Sequence, residues 1–180
     1  DETYINCPDD CTAPPSCFTP VCLNITNVHP DAQTFDVIMK NQTGCKHYEG
    51  TTEMFTTTVT EAECSNLPTG AGSWFDGNVA GFQLVFSNTS MTTTSASVTG
   101  GSAIDADFTV NTQPNYDDDN DGTGSPELSM ILGYTTGATI PAGEGALVTV
   151  AFTGYTGDAI CFNDQDCVGD GCLNIISDAG

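Results

Sequence analysis

The chain contains no arginine and only two lysines, Lys40 and Lys46, against 24 aspartates and glutamates in 180 residues. Nucleic acids and anionic membrane surfaces are bound by clustered Lys and Arg, so both partner classes are excluded. Phosphoryl transfer stabilises developing negative charge with Lys, Arg or a metal, and here only the metal route remains. Histidine is as scarce: His29 precedes Pro30, and His47 sits between Lys46 and Tyr48. Both read as exposed turn residues rather than general bases, and no GxSxG elbow is present. A glycosidase needs two carboxylates facing one cleft, but among 24 acids such pairs arise by chance and carry no signal. No apolar run is long enough to span a bilayer, so no membrane insertion is expected. The formal charge of −22 leaves cations, neutral glycans or another copy of the same chain as partners, and a non-enzymatic role.

Cysteine, by contrast, is plentiful. Cys7, Cys11, Cys17, Cys22, Cys45, Cys64, Cys161, Cys167 and Cys172 point to disulfides formed in an oxidising, extracytoplasmic compartment. Zinc is the weaker reading, since there is no CxxC pair and no histidine near either cluster. The odd count leaves one thiol free or bonded to another chain, and the spacing does not give the connectivity. The chain starts at Asp1 without a signal-peptide pattern, the expectation for a processed, secreted protein. Three N-glycosylation sequons begin at Asn24, Asn41 and Asn88. The threonine runs 56–58 and 92–94 suit exposed strand positions.

Residues 1–20 hold four prolines, three cysteines and almost no periodicity, and read as an extended, disulfide-pinned arm. From residue 21 the pattern is of period two. Val21, Leu23 and Ile25 alternate with Cys22, Asn24 and Thr26; Phe35, Val37 and Met39 follow, with a turn over 41–44. Residues 45–78 form a loop-rich insertion that Cys45 and Cys64 can clip, with a strand near 54–60 and a Gly-rich loop carrying Trp74. Phe82, Leu84 and Phe86, then 92–99, Phe108 with Val110, 128–134, and Val148, Val150 and Phe152 continue the alternation to segments around 160–162 and 173–175. About nine short strands separated by Gly, Pro and Asn turns predict an all-β, two-sheet, jelly-roll-like sandwich over 21–180. No amphipathic helix and no internal repeat is expected.

The run Val79-Ala80-Gly81-Phe82-Gln83-Leu84-Val85-Phe86 resembles the strand with which cohesin-like modules begin their "GFQ" sheet. The run 137–145, Gly-Ala-Thr-Ile-Pro-Ala-Gly-Glu-Gly, leading into Leu147–Phe152, is similar to their "IPAGxGxL" turn and strand. The likeness spans 21–178 at the level of architecture. It implies a nine-stranded sandwich and a non-catalytic, often calcium-stabilised adhesion or scaffolding module displayed outside the cell. The Cys-rich arm and the 45–78 insertion depart from the plain module, and no duplicated dockerin-like segment is present.

One motif suggests a cation. Asp117, Asp119 and Asp121 occupy places one, three and five of a DxDxDG calcium loop, with Gly122 at the sharp turn. The Thr123 carbonyl can add a ligand. Place twelve is Leu128 rather than an acid, and Glu127 lies one residue short. Four aspartates in five residues repel one another, by about 1 kcal/mol per pair at about 4 Å even in water, so a structural Ca2+ is preferred over a solvated acidic turn. Asp164, Asp166 and Asp170 read as an acidic loop. Trp74 offers possible glycan stacking, although core packing or a loop anchor suits it better.

The expectation is therefore a non-enzymatic, secreted structural subunit. Its partners are copies of itself, assembling into a fibre or surface layer through the arm or through strand donation. The alternative is a monomeric cohesin-like module that binds protein or carbohydrate.

Overall fold

The structure, a computed structural model, describes residues 19–68, 70–87, 92–116, 122, 128–153, 160–162 and 175–178. Its elements run β1 (Val21–His29), β2 (Thr34–Asn41), β3 (Gly44–Glu49), β4 (Thr52–Thr56), α1 (Glu61–Cys64), β5 (Ser73–Phe75) and β6 (Val79–Ser87). Then follow β7 (Thr92–Thr99), α2 (Gly101–Asp105), β8 (Thr109–Pro114), β9 (Leu128–Tyr134), β10 (Gly143–Thr153), β11 (Cys161–Phe162) and β12 (Ile175–Asp178). One layer is a four-stranded sheet in the order β1-β2-β10-β7. The other is five-stranded, β11-β6-β9-β8 with β12 also paired to β6. All pairings are antiparallel, and the two layers together hold the nine strands of the expected sandwich.

The alternating pattern fixes which side of each strand is buried. On β2, Phe35, Val37 and Met39 point inward while Asp36 and Lys40 face outward. On β6, Phe82, Leu84 and Phe86 face the same core. Phe35 meets Phe86 edge-on with ring centroids 5.3 Å apart, and Phe152 of β10 lies 5.9 Å from Phe35. Such aromatic pairs contribute about 0.5–1.5 kcal/mol beyond their buried area, and this one joins the two sheets. A bulge between Ala146 and Val148 breaks the period of β10 where it pairs with β2, so Leu147 and Val148 are both buried. Phe82 pairs directly across from Gly133, and a Cβ there would run into the Phe82 ring. The glycine gives the ring its place.

Among the described residues the two sides of the sandwich differ. On one side, β7 lies against β8 and α2 fills the corner between them. Ala103 of α2 is buried, and Phe108 stacks on Phe82 at 6.0 Å. The turn into α2 uses Gly100 and Gly101 at φ of 67° and 79°, and a Cβ on Gly101 would strike the Leu147 carbonyl. At the other side stand β1 in one sheet and β11 and β12 in the other.

The expected insertion is a separate three-stranded sheet, β4-β3-β5. The Cys45–Cys64 disulfide joins β3 to α1 across 19 residues, a loop whose closure removes about 3 kcal/mol of chain entropy from the unfolded state. Both sulfurs are buried beneath Gly72, where any Cβ would meet them. Two helices occur where none was expected. At four and five residues they are too short to show a 3.6-residue period. α1 does carry a local signal, the capping box Thr60-x-x-Glu63. The Thr60 backbone N–H donates to the Glu63 carboxylate at 2.8 Å, and this bond holds the Glu63 pKa below its ordinary value.

Candidate functional site: the β1 edge

Both lysines are engaged within the fold. Lys40 Nζ lies 3.5 Å from Glu144 across the β2–β10 pair, and Lys46 Nζ sits 5.3 Å above the Phe75 ring. His47 is largely buried, with Nε2 4.0 Å from the Glu49 carboxylate and Nδ1 enclosed without a hydrogen-bond partner. The sequence reading of His47 as an exposed turn residue is corrected: it lies within β3, facing the same side as Cys45. His29 ends β1 and is exposed. Among the described residues, no group of three or more His, Cys, Asp or Glu side chains is arranged to hold a metal ion.

Eleven of the 24 acidic residues are among the described ones, and of these Asp36, Glu49, Glu53, Glu144 and Asp178 lie in strands. Strands β1, β6, β7, β8 and β9 contain no charged residue apart from the exposed His29, when protonated. Neutral β1 is also an edge: among the described residues its strand partner is β2 alone. Its inward residues Val21, Leu23, Ile25 and Val28 pack on the core and are partly buried. At the corresponding end of the other sheet, Phe162 of β11 and Ile176 of β12 are partly buried in the same way. The β8 edge differs, because β7 lies against it. A free edge presents backbone N–H and C=O groups to any incoming strand.

The regular part of β1 ends at a bulge between Thr26 and His29, where Asn27 adopts φ of 50°. Its side-chain N–H donates to Asp36 at 2.8 Å, and Asp36 also accepts from the Thr149 hydroxyl at 2.6 Å. This chain of hydrogen bonds across β1, β2 and β10 fixes the bulge and stiffens the strand beside the edge.

The remaining sites fall out as follows. Asn24 is exposed on the outer face of β1, where a glycan has room. Asn41 is buried, and its Nδ2, the atom a glycan would occupy, donates to the carbonyls of Gly77, Ile140 and Pro141. As a glycan site Asn41 is corrected: the amide is a structural clamp. Asn88 lies outside the described residues. Trp74 is half-buried on β5 directly opposite Cys45, on the side that carries the disulfide, which favours the loop-anchor reading over an open stacking platform.

Asp117, Asp119, Asp121, Thr123 and Glu127 also lie outside the described residues. Around them, the Tyr116 N–H donates to the Leu128 carbonyl at 3.0 Å and so ties the two ends of that segment together. Gly122 has φ of 86°, the left-handed conformation that the sixth place of a calcium loop requires. Besides Cys45 and Cys64, Cys22 and Cys161 are disulfide-bonded. The cysteine left over by the odd count is therefore one of Cys7, Cys11, Cys17, Cys167 and Cys172, which lie outside the described residues. The segment 1–18 lies there too.

Comparison of the chain with protein-family models, curated proteins and solved structures finds no match. No helix among the described residues is long and apolar enough to cross a membrane.

Proposed function

We propose that this chain is a non-enzymatic structural subunit of an extracellular assembly, built from copies of itself by strand addition or by the arm over residues 1–20. The supporting observation is that β1, whose sole strand partner among the described residues is β2, carries partly buried apolar side chains and, over Val21–Val28, no charge in a chain of −22. The acidity of the chain keeps the subunit hydrated, while an uncharged strand lets two like-charged copies approach without opposed carboxylates at the contact. Disulfides that clip β3 to α1 and anchor β1 and β11 suit an oxidising compartment. A structural Ca2+ held by Asp117, Asp119, Asp121, the Thr123 carbonyl and Glu127 belongs to the same reading, as do a glycan at Asn24 and secretion.

Electron microscopy of native material tests the proposal: ordered fibres or layers are the expected result. Deleting residues 1–20 then separates the two routes, because fibres that persist rule out the arm. A sample that stays monomeric and binds a glycan array or a protein partner supports the cohesin-like binding module instead.

A further inference from the structure

We propose that the outer face of the five-stranded sheet carries a binding site for a neutral glycan, in a trough floored by Gly81 of β6 and walled by Tyr134 of β9. The site goes beyond the structural-subunit reading and does not depend on how subunits assemble. The strand register sets Ser177 of β12, Gly81, Tyr134 and Thr109 of β8 side by side in one row. Phe82, Val110 and Ile176, each next to a member of the row along its strand, pack on the core, so the row itself faces outward. The segments that build this end of the sheet, 79–83, 105–111, 132–140 and 176–178, are all among the described residues.

Gly81 is the observation that points to a ligand. A Cβ on Gly133 would strike the Phe82 ring, but one on Gly81 would meet nothing closer than the Gly133 carbonyl oxygen at 3.4 Å and Ser177 at 3.7 Å, which are ordinary contacts. Its backbone is not left-handed either, so the register shift beside it, between Ser177 and Asp178, does not call for glycine. A glycine inside a strand weakens it, and where the fold does not require one it marks a place where another group comes close to the backbone. Tyr134 stands next to this bare floor and is 45% exposed. Neighbouring strands lie about 4.8 Å apart, so the Ser177 and Tyr134 backbones are about 10 Å apart, room for one sugar ring set against the tyrosine. Exposed Ser177 and Thr109 and, in the next outward row, exposed Asn111 bring hydroxyl and amide groups that both donate and accept, as sugar hydroxyls require.

The class of ligand follows from charge and size. The row holds no charged residue, exposed Asp107 lies in the turn before Thr109, and the chain carries −22, so an anionic glycan is repelled. β6 and β9 are each paired on both sides, so no backbone edge is offered here to a peptide strand. A stable protein contact buries about 800 Å2 per partner around an apolar centre, and Tyr134 is the only large apolar side chain in the row.

The test is calorimetric titration of the full-length chain with neutral hexasaccharides of glucose, mannose, xylose and galactose, and with their sulfated counterparts. At least one neutral probe is expected to bind, and its sulfated counterpart to bind more weakly. Tyr134→Ala is expected to weaken that binding about tenfold. Gly81→Ala, whose methyl group fills the floor, is expected to weaken it as much while the melting temperature stays level or rises. Tyr48→Ala removes a tyrosine that is 59% exposed on the small sheet and is expected to leave binding unchanged. No binding by the parent, binding that survives both Tyr134→Ala and Gly81→Ala, loss on Tyr48→Ala instead, or a preference for the sulfated probes each overturns the site.

Discussion

Asn41 holds three carbonyl oxygens around one amide nitrogen, with Pro141 at 2.9 Å and Ile140 at 3.3 Å besides Gly77. An NH2 group has two hydrogens, so the more distant Ile140 carbonyl shares one of them. The clamp ties the end of β2 to the turn before β6 and to the turn before β10, and it is buried. Asn41→Ala leaves those carbonyls enclosed without their donor and is expected to cost about 2–4 kcal/mol, read as a lower denaturant midpoint at unchanged slope. Asn41→Asp replaces the donor by an acceptor and is expected to cost more at neutral pH. In the sequence, Asn41 reads as the head of a sequon and the start of a turn. Its partners stand 36 and about 100 residues away in the chain, so no local pattern announces them. Val85 is hidden for the same kind of reason. Alternation places it on the outer face of β6, yet it is fully buried, a consequence of tertiary packing that period-two reading does not contain.

Among the elements, the strands with clean alternation were legible, since one buried face and one outer face leave a period of two. β2 is of this kind, whereas Val85 breaks the alternation of β6 and the bulge breaks that of β10. The sequence also shows Cys45 and Cys64 bracketing an insertion, and the disulfide closes it. α1 was missed because four residues make barely one turn, and its stability comes from the capping box and the buried Cys64 rather than from an apolar stripe. The box carries a pH signature. Because the folded pKa of Glu63 is depressed by the Thr60 N–H, its contribution is fully present above the ordinary carboxylate range and is lost as pH falls through the folded value. Hydrogen exchange at the Thr60 amide checks this: protection is expected at neutral pH and to fade in acid. Glu63→Gln keeps an acceptor without a titrating charge, and is expected to flatten that dependence.

At the scale of the whole molecule, the −22 charge opposes compaction and association alike. The charge itself is the most legible feature of the sequence. Its absence from β1, an end strand of its sheet among the described residues, is not, because which strand lies at the end depends on sheet order rather than on any one segment. Added monovalent salt screens the repulsion, so both the melting temperature and the extent of self-association are expected to rise with ionic strength. That direction is opposite to an assembly held by salt bridges, which weakens as salt is added. A calcium site gives a separate signal. At matched ionic strength Mg2+ supplies the same screening, so any additional rise in melting temperature with Ca2+ reports binding to the folded chain. At a hundredfold excess over the dissociation constant, such binding contributes about 2.7 kcal/mol. Calorimetric melts in Ca2+, in Mg2+ and in a chelator therefore separate two roles of the acidic residues. Equal melts in the two cations would leave Asp117–Asp121 as a solvated loop, and the chain's acidity would act by hydration and repulsion alone.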